Sequence, residues 1–103
     1  MAKTTIIFWR DIPSQVIVKQ GRNSAKSQLS KRFMEAIDKA AMRAGRQGSS
    51  EYLEDWRRVI DTRQGDPKTI ANNIAEELEN EYNDEILKGI VKNKGIKSTK
   101  TKN

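Results

Sequence analysis

The chain has 103 residues, of which 35% are hydrophobic and 33% are charged, and its formal net charge at pH 7 is +6. This length and composition predict one small soluble domain with a modest core. The chain contains no cysteine and no histidine. It therefore forms no disulfide or thiolate metal site, and it lacks the side chain most often used as a general base or metal ligand.

The N-terminal runs of β-branched and aromatic residues predict a β-hairpin with strands at residues 4–10 and 15–20. Pro13 lies between the runs and suits the first corner of a turn, because its ring presets the φ angle. Alternation puts apolar side chains on both faces of this hairpin. One face should pack on a helix, and the other needs cover from a later helix or from a partner. The polar stretch after the hairpin, residues 21–28, is predicted to be a loop.

The clearest helix follows this loop. Ser30 is a natural N-cap and Gly45 a natural stop, and Phe33 and Ile37 belong to an apolar stripe with helical spacing. A shorter helix is predicted over residues 49–61, with its apolar side chains on one side.

Another helix begins at Asp66 as cap, with Pro67 at the first helical position. It continues or restarts over residues 83–93. The polar and basic residues 94–103 predict a disordered, Lys-rich tail. The sequence thus predicts an α+β fold, with an N-terminal β-hairpin packed on three to four α-helices. The single domain covers residues 1–93, followed by the flexible tail of residues 94–103.

Charge is distributed unevenly along the chain. Residues 1–48 hold ten Lys and Arg against three Asp and Glu, and residues 49–93 hold six against eleven. Residues 94–103 hold four Lys and no acid. This pattern indicates a molecule with a basic and an acidic part. The alternative is that the acidic residues of the second half only form solvated faces of its helices, which gives the same counts.

Several stretches carry a resemblance to a known family. They are W-R-D-I-P-x-Q-V-I-V at residues 9–18, G-R-x-S-A-K at 21–26, R-F-x-E-A-I-D-x-A-A-M-R at 32–43 and Y-L-E-D-W-R-R at 52–58. Over roughly residues 5–90 the chain resembles the small bacterial "virulence factor" domain family, named for conserved virulence factor C. The family has no established biochemistry. Some relatives are fused to helical repeats and to a domain of iron–sulfur scaffold type, which implies an adaptor or accessory role.

Basic residues form the first candidate site, running from the hairpin exit into the first turn of the long helix. We interpret them as a site for an anion or an acidic partner, because a loop rich in Gly and Ser and a helix N-terminus both favour negative charge. The alternative is a solvated loop. The candidate residues are Arg10, Lys19, Arg22, Lys26, Lys31 and Arg32.

Arg10 and Asp11 form a second candidate, at the tip of the hairpin. Trp9 is expected to provide contact area beside them. Trp9 and Asp11 are therefore candidate residues of a surface that a partner recognises. The alternative is a pair that fixes the turn, with Trp9 in the core. No acid pair suggests catalysis: Glu35 and Asp38 lie on a solvated helix face, and neighbouring acids on a helix point in different directions. We expect no enzymatic activity, no cofactor and no metal.

Two classes of function remain. The first is a non-enzymatic accessory or adaptor protein that binds a larger protein, or forms a homo-oligomer, through the hairpin. The alternative is a nucleic-acid-binding protein that uses the basic N-terminal half and the tail. The acidic helices would repel phosphates, and few aromatic residues are left to stack on bases, so we favour the accessory or adaptor protein. We expect any nucleic-acid binding to be weak. No apolar run is long enough for a membrane span or a signal peptide, so we expect a cytoplasmic protein.

Overall fold

The fold is described from a computed structural model, over residues 1–46 and 48–97. Within these residues the chain forms four strands and four helices, and the predicted α+β class is confirmed. The strands are β1 (Ala2–Trp9), β2 (Ile12–Gln20), β3 (Asn23–Gln28) and β4 (Trp56–Arg63). The helices are α1 (Lys31–Arg43), α2 (Ser50–Glu54), α3 (Pro67–Glu81) and α4 (Asp84–Lys92).

The sheet is antiparallel, with strand order β3-β2-β1-β4. The β1–β2 hairpin is therefore central, and both of its edges are paired. The sequence predicts only the two strands of this hairpin, and β3 and β4 extend it to a four-stranded sheet.

The hairpin turn differs from the prediction. It falls at Arg10 and Asp11, and Arg10 has a φ of 54°. Pro13 lies inside β2 opposite Phe8, next to an irregularity in the β1–β2 register after Ile7. A proline is tolerated there because a bulge releases its position from the ladder.

Two other predictions of local structure are wrong. The stretch predicted as a loop contains β3, which pairs with β2 from Gln15 to Gln20. The helix predicted over residues 49–61 ends at Glu54, and the remainder is β4. Both strands form because β1 and β2 offer edges that pair with them, although their own residues give a weak strand signal.

The core lies between the sheet and the helices. α3 packs on β2 and β3, and α1 packs on β2 and on α4. Phe33 and Ile37 of α1 are fully buried, as their spacing predicts. Asp66 accepts a hydrogen bond from the Thr69 backbone and so caps α3, as expected. Ser30 precedes α1 but makes no cap hydrogen bond; it bonds instead to Glu79 of α3.

Residues 94–97 were assigned to the flexible tail, but they pack against the hairpin turn. The Arg10 guanidinium donates to the Lys94 carbonyl at 2.7 Å, and the Asp11 backbone N–H donates to the Gly95 carbonyl at 2.9 Å. The Lys97 backbone N–H donates to the Asp11 carboxylate at 2.6 Å. The domain therefore includes residues 94–97. The rest of the predicted tail, residues 98–103, lies outside the described residues.

Candidate interaction surface

One face of the sheet carries α3, and the opposite face is left largely uncovered. We call this second face the open face. Side chains alternate across a strand, so the strand registers define its members. They are Lys3, Thr5, Ile7, Gln15, Ile17, Lys19, Ser24, Lys26, Gln28, Trp56, Arg58, Ile60 and Thr62. All of these side chains are half-buried or exposed, whereas Thr4, Val16 and Val18 on the α3 side are buried.

The open face is basic around an apolar centre. Lys3, Lys19, Lys26 and Arg58 are its charged residues, and no Asp or Glu is among its members. Within residues 1–46 and 48–97, none of these four cations lies within 4.0 Å of a carboxylate. The positive charge of this surface is thus not compensated by ion pairs among the described residues.

The strand registers place like charges next to one another. Lys3 of β1 lies directly opposite Lys19 of β2. Cβ atoms of such cross-strand partners are about 4.5–5.5 Å apart, and like charges at that distance destabilise a sheet. A shallow groove of about 190 Å³ runs between these lysines and Arg58, over Thr5 and Ile17.

A larger groove adjoins the first one. It has a volume of about 570 Å³, and its lining includes Ile7, Gln15, Gln28 and Arg58 of the open face. Arg58 lines both grooves, so they are neighbours at this residue. Open grooves on a sheet fit a protein segment better than a small enclosed ligand.

The structure separates the predicted basic stretch into different environments. Lys19 and Lys26 lie together on the open face. Arg22 is exposed in the β2–β3 turn, and Lys31 is exposed at the start of α1. The Arg32 side chain is not part of the open face. It bonds to Glu79 and so links α1 to α3.

The two remaining arginines among the predicted site residues form intramolecular contacts. Arg32 is paired with Glu79 at 3.0 Å and also donates to the Glu79 and Tyr82 backbone carbonyls. Arg10 is paired with Asp55 at 3.2 Å. These contacts join elements distant in sequence, so both arginines are held by the fold.

The interpretation of Trp9 as contact area for a partner needs correction. Its side chain is fully buried, and its indole N–H donates to the Tyr52 carbonyl at 3.0 Å. Asp11 is held by Arg57 at 3.0 Å and by the Lys97 backbone. Trp9 thus belongs to the core, as the alternative interpretation had it. The pair of that alternative differs, because Arg10 bonds to Asp55 and Asp11 bonds to Arg57 rather than to each other.

Sequence reasoning found two of the four charged residues of the open face and missed the other two, Lys3 and Arg58. The period-two alternation of Lys3, Thr5 and Ile7 was available as a signal, because all three share a face of β1. Arg58 was not predicted as a site residue because residues 49–61 were predicted to form a helix, whereas Arg58 lies in β4.

The pKa shifts of the molecule arise from internal hydrogen bonds, ion pairs and burial. Burial acts to raise the pKa of the Glu79 carboxyl, but hydrogen bonds from Ser30 and Arg32 outweigh it and lower that pKa. The Arg63 side chain lowers the pKa of Glu77 by hydrogen bonding. Burial raises the pKa of the Tyr82 hydroxyl. None of these groups belongs to the open face.

An antiparallel sheet with helices on one side and a basic open face on the other defines a small α+β domain whose main feature is a surface. The chain belongs to the Virulence factor family, whose family model matches residues 7–91. The resemblance found in the sequence is thus confirmed. No curated protein and no solved structure matches the chain. Among the helices of the described residues, none has the length and apolar character needed to cross a membrane.

Proposed function

We propose that the protein is a non-enzymatic interaction module that docks on an acidic surface of a larger protein through its open face. The observation that carries this proposal is the set of four cations, Lys3, Lys19, Lys26 and Arg58, which surround isoleucines and have no carboxylate on their face. Apolar side chains ringed by one sign of charge suit a protein interface, because the charge steers association and the apolar area stabilises the complex.

Nucleic acid is the second candidate, since the same cations suit a phosphate backbone. Alternation along β4 places one aromatic residue, Trp56, on the open face. Trp56 is half-buried and packs edge-on against Tyr52, so it leaves little ring area on which a base could stack. We therefore rank an acidic protein above nucleic acid, and place the protein in the cytoplasm, where such a partner is met.

Chemical cross-linking and affinity capture test this proposal. The full chain is compared with a variant carrying Lys19→Glu and Lys26→Glu, which reverses two charges of the open face. The matched control carries Lys68→Glu and Lys92→Glu, two exposed helical lysines with the same change in net charge.

We expect one acidic partner to be captured by the full chain and by the control, and to be lost with the open-face variant. Equal capture by all three proteins would refute docking through the open face. Nuclease treatment decides the alternative: a capture that disappears with nuclease shows that nucleic acid bridges the proteins.

A further inference from the structure

The outer edge of β4 is unoccupied within residues 1–46 and 48–97. One side of β4 pairs with β1, and no described strand pairs with its other side. We propose that an extended acidic segment of the partner adds to this edge as a fifth strand. The inference rests on the proposed function and specifies which part of the partner is recognised.

β4 carries charged side chains but lacks two other features that protect edge strands, a bulge and a proline. Its register with β1 is regular over all eight residues, with no bulge, and it contains no proline. Val59 is 40% exposed and Ile60 is 58% exposed, one on each face of the strand. An edge of this length and regularity presents unpaired backbone groups that another extended chain can use. The opposite edge, β3, is shorter, with six polar or small residues.

The charges of β4 indicate that the added strand is acidic. Arg57 is held by Asp11 and Arg63 by Glu77, so their charges are already compensated. Arg58 lies on the open face without a carboxylate within 4.0 Å among the described residues. A carboxylate on a fifth strand, directly opposite Arg58, would lie at cross-strand pairing distance.

A second copy of β4 does not supply this carboxylate. The only acid of β4 is Asp61, which alternation places on the face opposite to that of Arg58. When two antiparallel copies form one continuous sheet, residues that lie opposite each other share a face. Arg58 of one copy therefore never meets Asp61 of the other, and the charge favours a different, acidic chain.

The side chains of β4 also indicate which residue types the added partner segment carries. An antiparallel fifth strand meets Ile60, Val59 and Arg58 in that order along its own direction. Apolar, apolar and acidic side chains in succession are complementary to these three. The probe is a fluorescein-labelled eight-residue peptide with a Val-Val-Glu core flanked by threonines.

Two control peptides test separately how much the charge and the backbone hydrogen bonds contribute to binding. The first has a Val-Val-Lys core, which reverses the charge. The second keeps the Val-Val-Glu side chains but is N-methylated at alternate residues, so that its backbone cannot complete a ladder. Binding to the full chain is followed by fluorescence anisotropy at ~150 mM salt, where surface charges are screened within about 8 Å.

We expect saturable binding of the Val-Val-Glu peptide, weakened at least about tenfold by either peptide change. Tenfold corresponds to about 1.4 kcal/mol, close to the lower end of what one hydrogen bond to a charged group contributes. Arg58→Gln should weaken binding by about the same factor, and Lys68→Gln, which removes the same charge from an exposed helical site, should not. Bound peptide should also slow amide hydrogen exchange in residues 56–63.

Undiminished binding of the N-methylated peptide would overturn strand addition, because charge alone would then suffice. An unaltered affinity of Arg58→Gln would overturn the assigned position. The proposed function is judged separately by the Lys19 and Lys26 variant. Partner capture that depends on those lysines, without any peptide binding, leaves the proposed function standing and removes this inference.

Discussion

Gly95 occupies a position where the backbone and the packing both require glycine. Its φ is +90°, and a Cβ built there would lie 2.7 Å from Cζ3 of Trp9. Because Trp9 is fully buried, its ring has no room to move away. The close approach holds residues 94–97 against the hairpin turn.

Gly95→Ala should therefore lower the free energy of unfolding by more than about 2 kcal/mol, since backbone strain and overpacking add. Two glycines serve as controls in urea denaturation. Gly45 has a φ of +71° and open space around its Cβ, so Gly45→Ala should show the backbone cost alone, about 1–2 kcal/mol. Gly89 lies within α4 without a nearby atom, so Gly89→Ala should stabilise by about 0.5–1 kcal/mol. Equal effects at positions 95 and 45 would contradict the role of the Trp9 contact.

Glu79 joins α3 to the start of α1. Its carboxylate accepts from the Ser30 backbone at 2.6 Å, from the Ser30 hydroxyl at 2.9 Å and from Arg32 at 3.0 Å. Burial opposes ionisation, but these hydrogen bonds prevail, and the pKa of Glu79 lies below its ordinary value of 4.5. The charged form is thus favoured by folding.

A group with a lowered pKa in the folded state stabilises the protein above its unfolded pKa, and this stability is lost as pH falls through the folded pKa. We expect the stability of the full chain to fall from about pH 5 downward, and Glu79→Gln to flatten that part of the profile. Thermal melts between about pH 3 and pH 7 measure it. Glu76→Gln, at an exposed position of the same helix, should keep the full slope; an equally steep profile for Glu79→Gln would refute the assignment.

At the scale of elements, β4 shows why one segment was misread. Tyr52, Trp56 and Ile60 are four residues apart, which fits one side of a helix. Trp56, Arg58 and Ile60 are also two residues apart, which fits one face of a strand. The same side chains satisfy both periods, and pairing with β1 decides in favour of a strand from residue 56.

The sequence was more informative for α1 and α3 than for β3. α1 has a long apolar stripe and α3 has a cap, and these signals lie within the elements themselves. β3 has no β-branched or aromatic residue, and its conformation is imposed by the neighbouring β2 edge. The open face was predicted only through Lys19 and Lys26, because Arg58 joins them through a strand pairing that no local pattern specifies.

Phe33 tests the packing of α1. Its ring is fully buried and makes an edge contact with Tyr82. Phe33→Ala should lower the free energy of unfolding by roughly 3–5 kcal/mol, the usual cost of a cavity of this size. Met42→Ala, at an exposed position of the same helix, should change it by less than about 0.5 kcal/mol. Chemical denaturation of both variants provides the measurement, and similar midpoints would show that this face of α1 carries little of the core.

At the scale of the whole molecule, the charge is divided between surfaces. The open face is basic, whereas residues 49–93, which include α3 and α4, carry eleven acids against six bases. A net charge of +6 therefore overstates the attraction to a long polyanion, because a phosphate backbone extending beyond the open face meets acidic helices. A short acidic segment avoids them.

Titration of labelled duplex DNA tests this division. We expect weak binding at ~150 mM salt. If the four cations of the open face did neutralise phosphates, log K would fall with log salt at a slope of about −4, since each phosphate contributes about −0.9. Sub-micromolar binding with that slope, abolished by Lys19→Glu and Lys26→Glu but retained by the Lys68 and Lys92 control, would favour the nucleic-acid candidate.

The contact between the hairpin turn and residues 94–97 also orders events during synthesis. Asp11 and Lys97, which share a hydrogen bond, are 86 positions apart in the chain. The turn leaves the ribosome early, but its partner follows only after all four helices have been translated. Closing so long a loop is a late step. Until then the ring of Trp9 lacks the contact with Gly95. Apolar surface exposed in this way makes an incomplete chain prone to aggregation, and the finished protein conceals it.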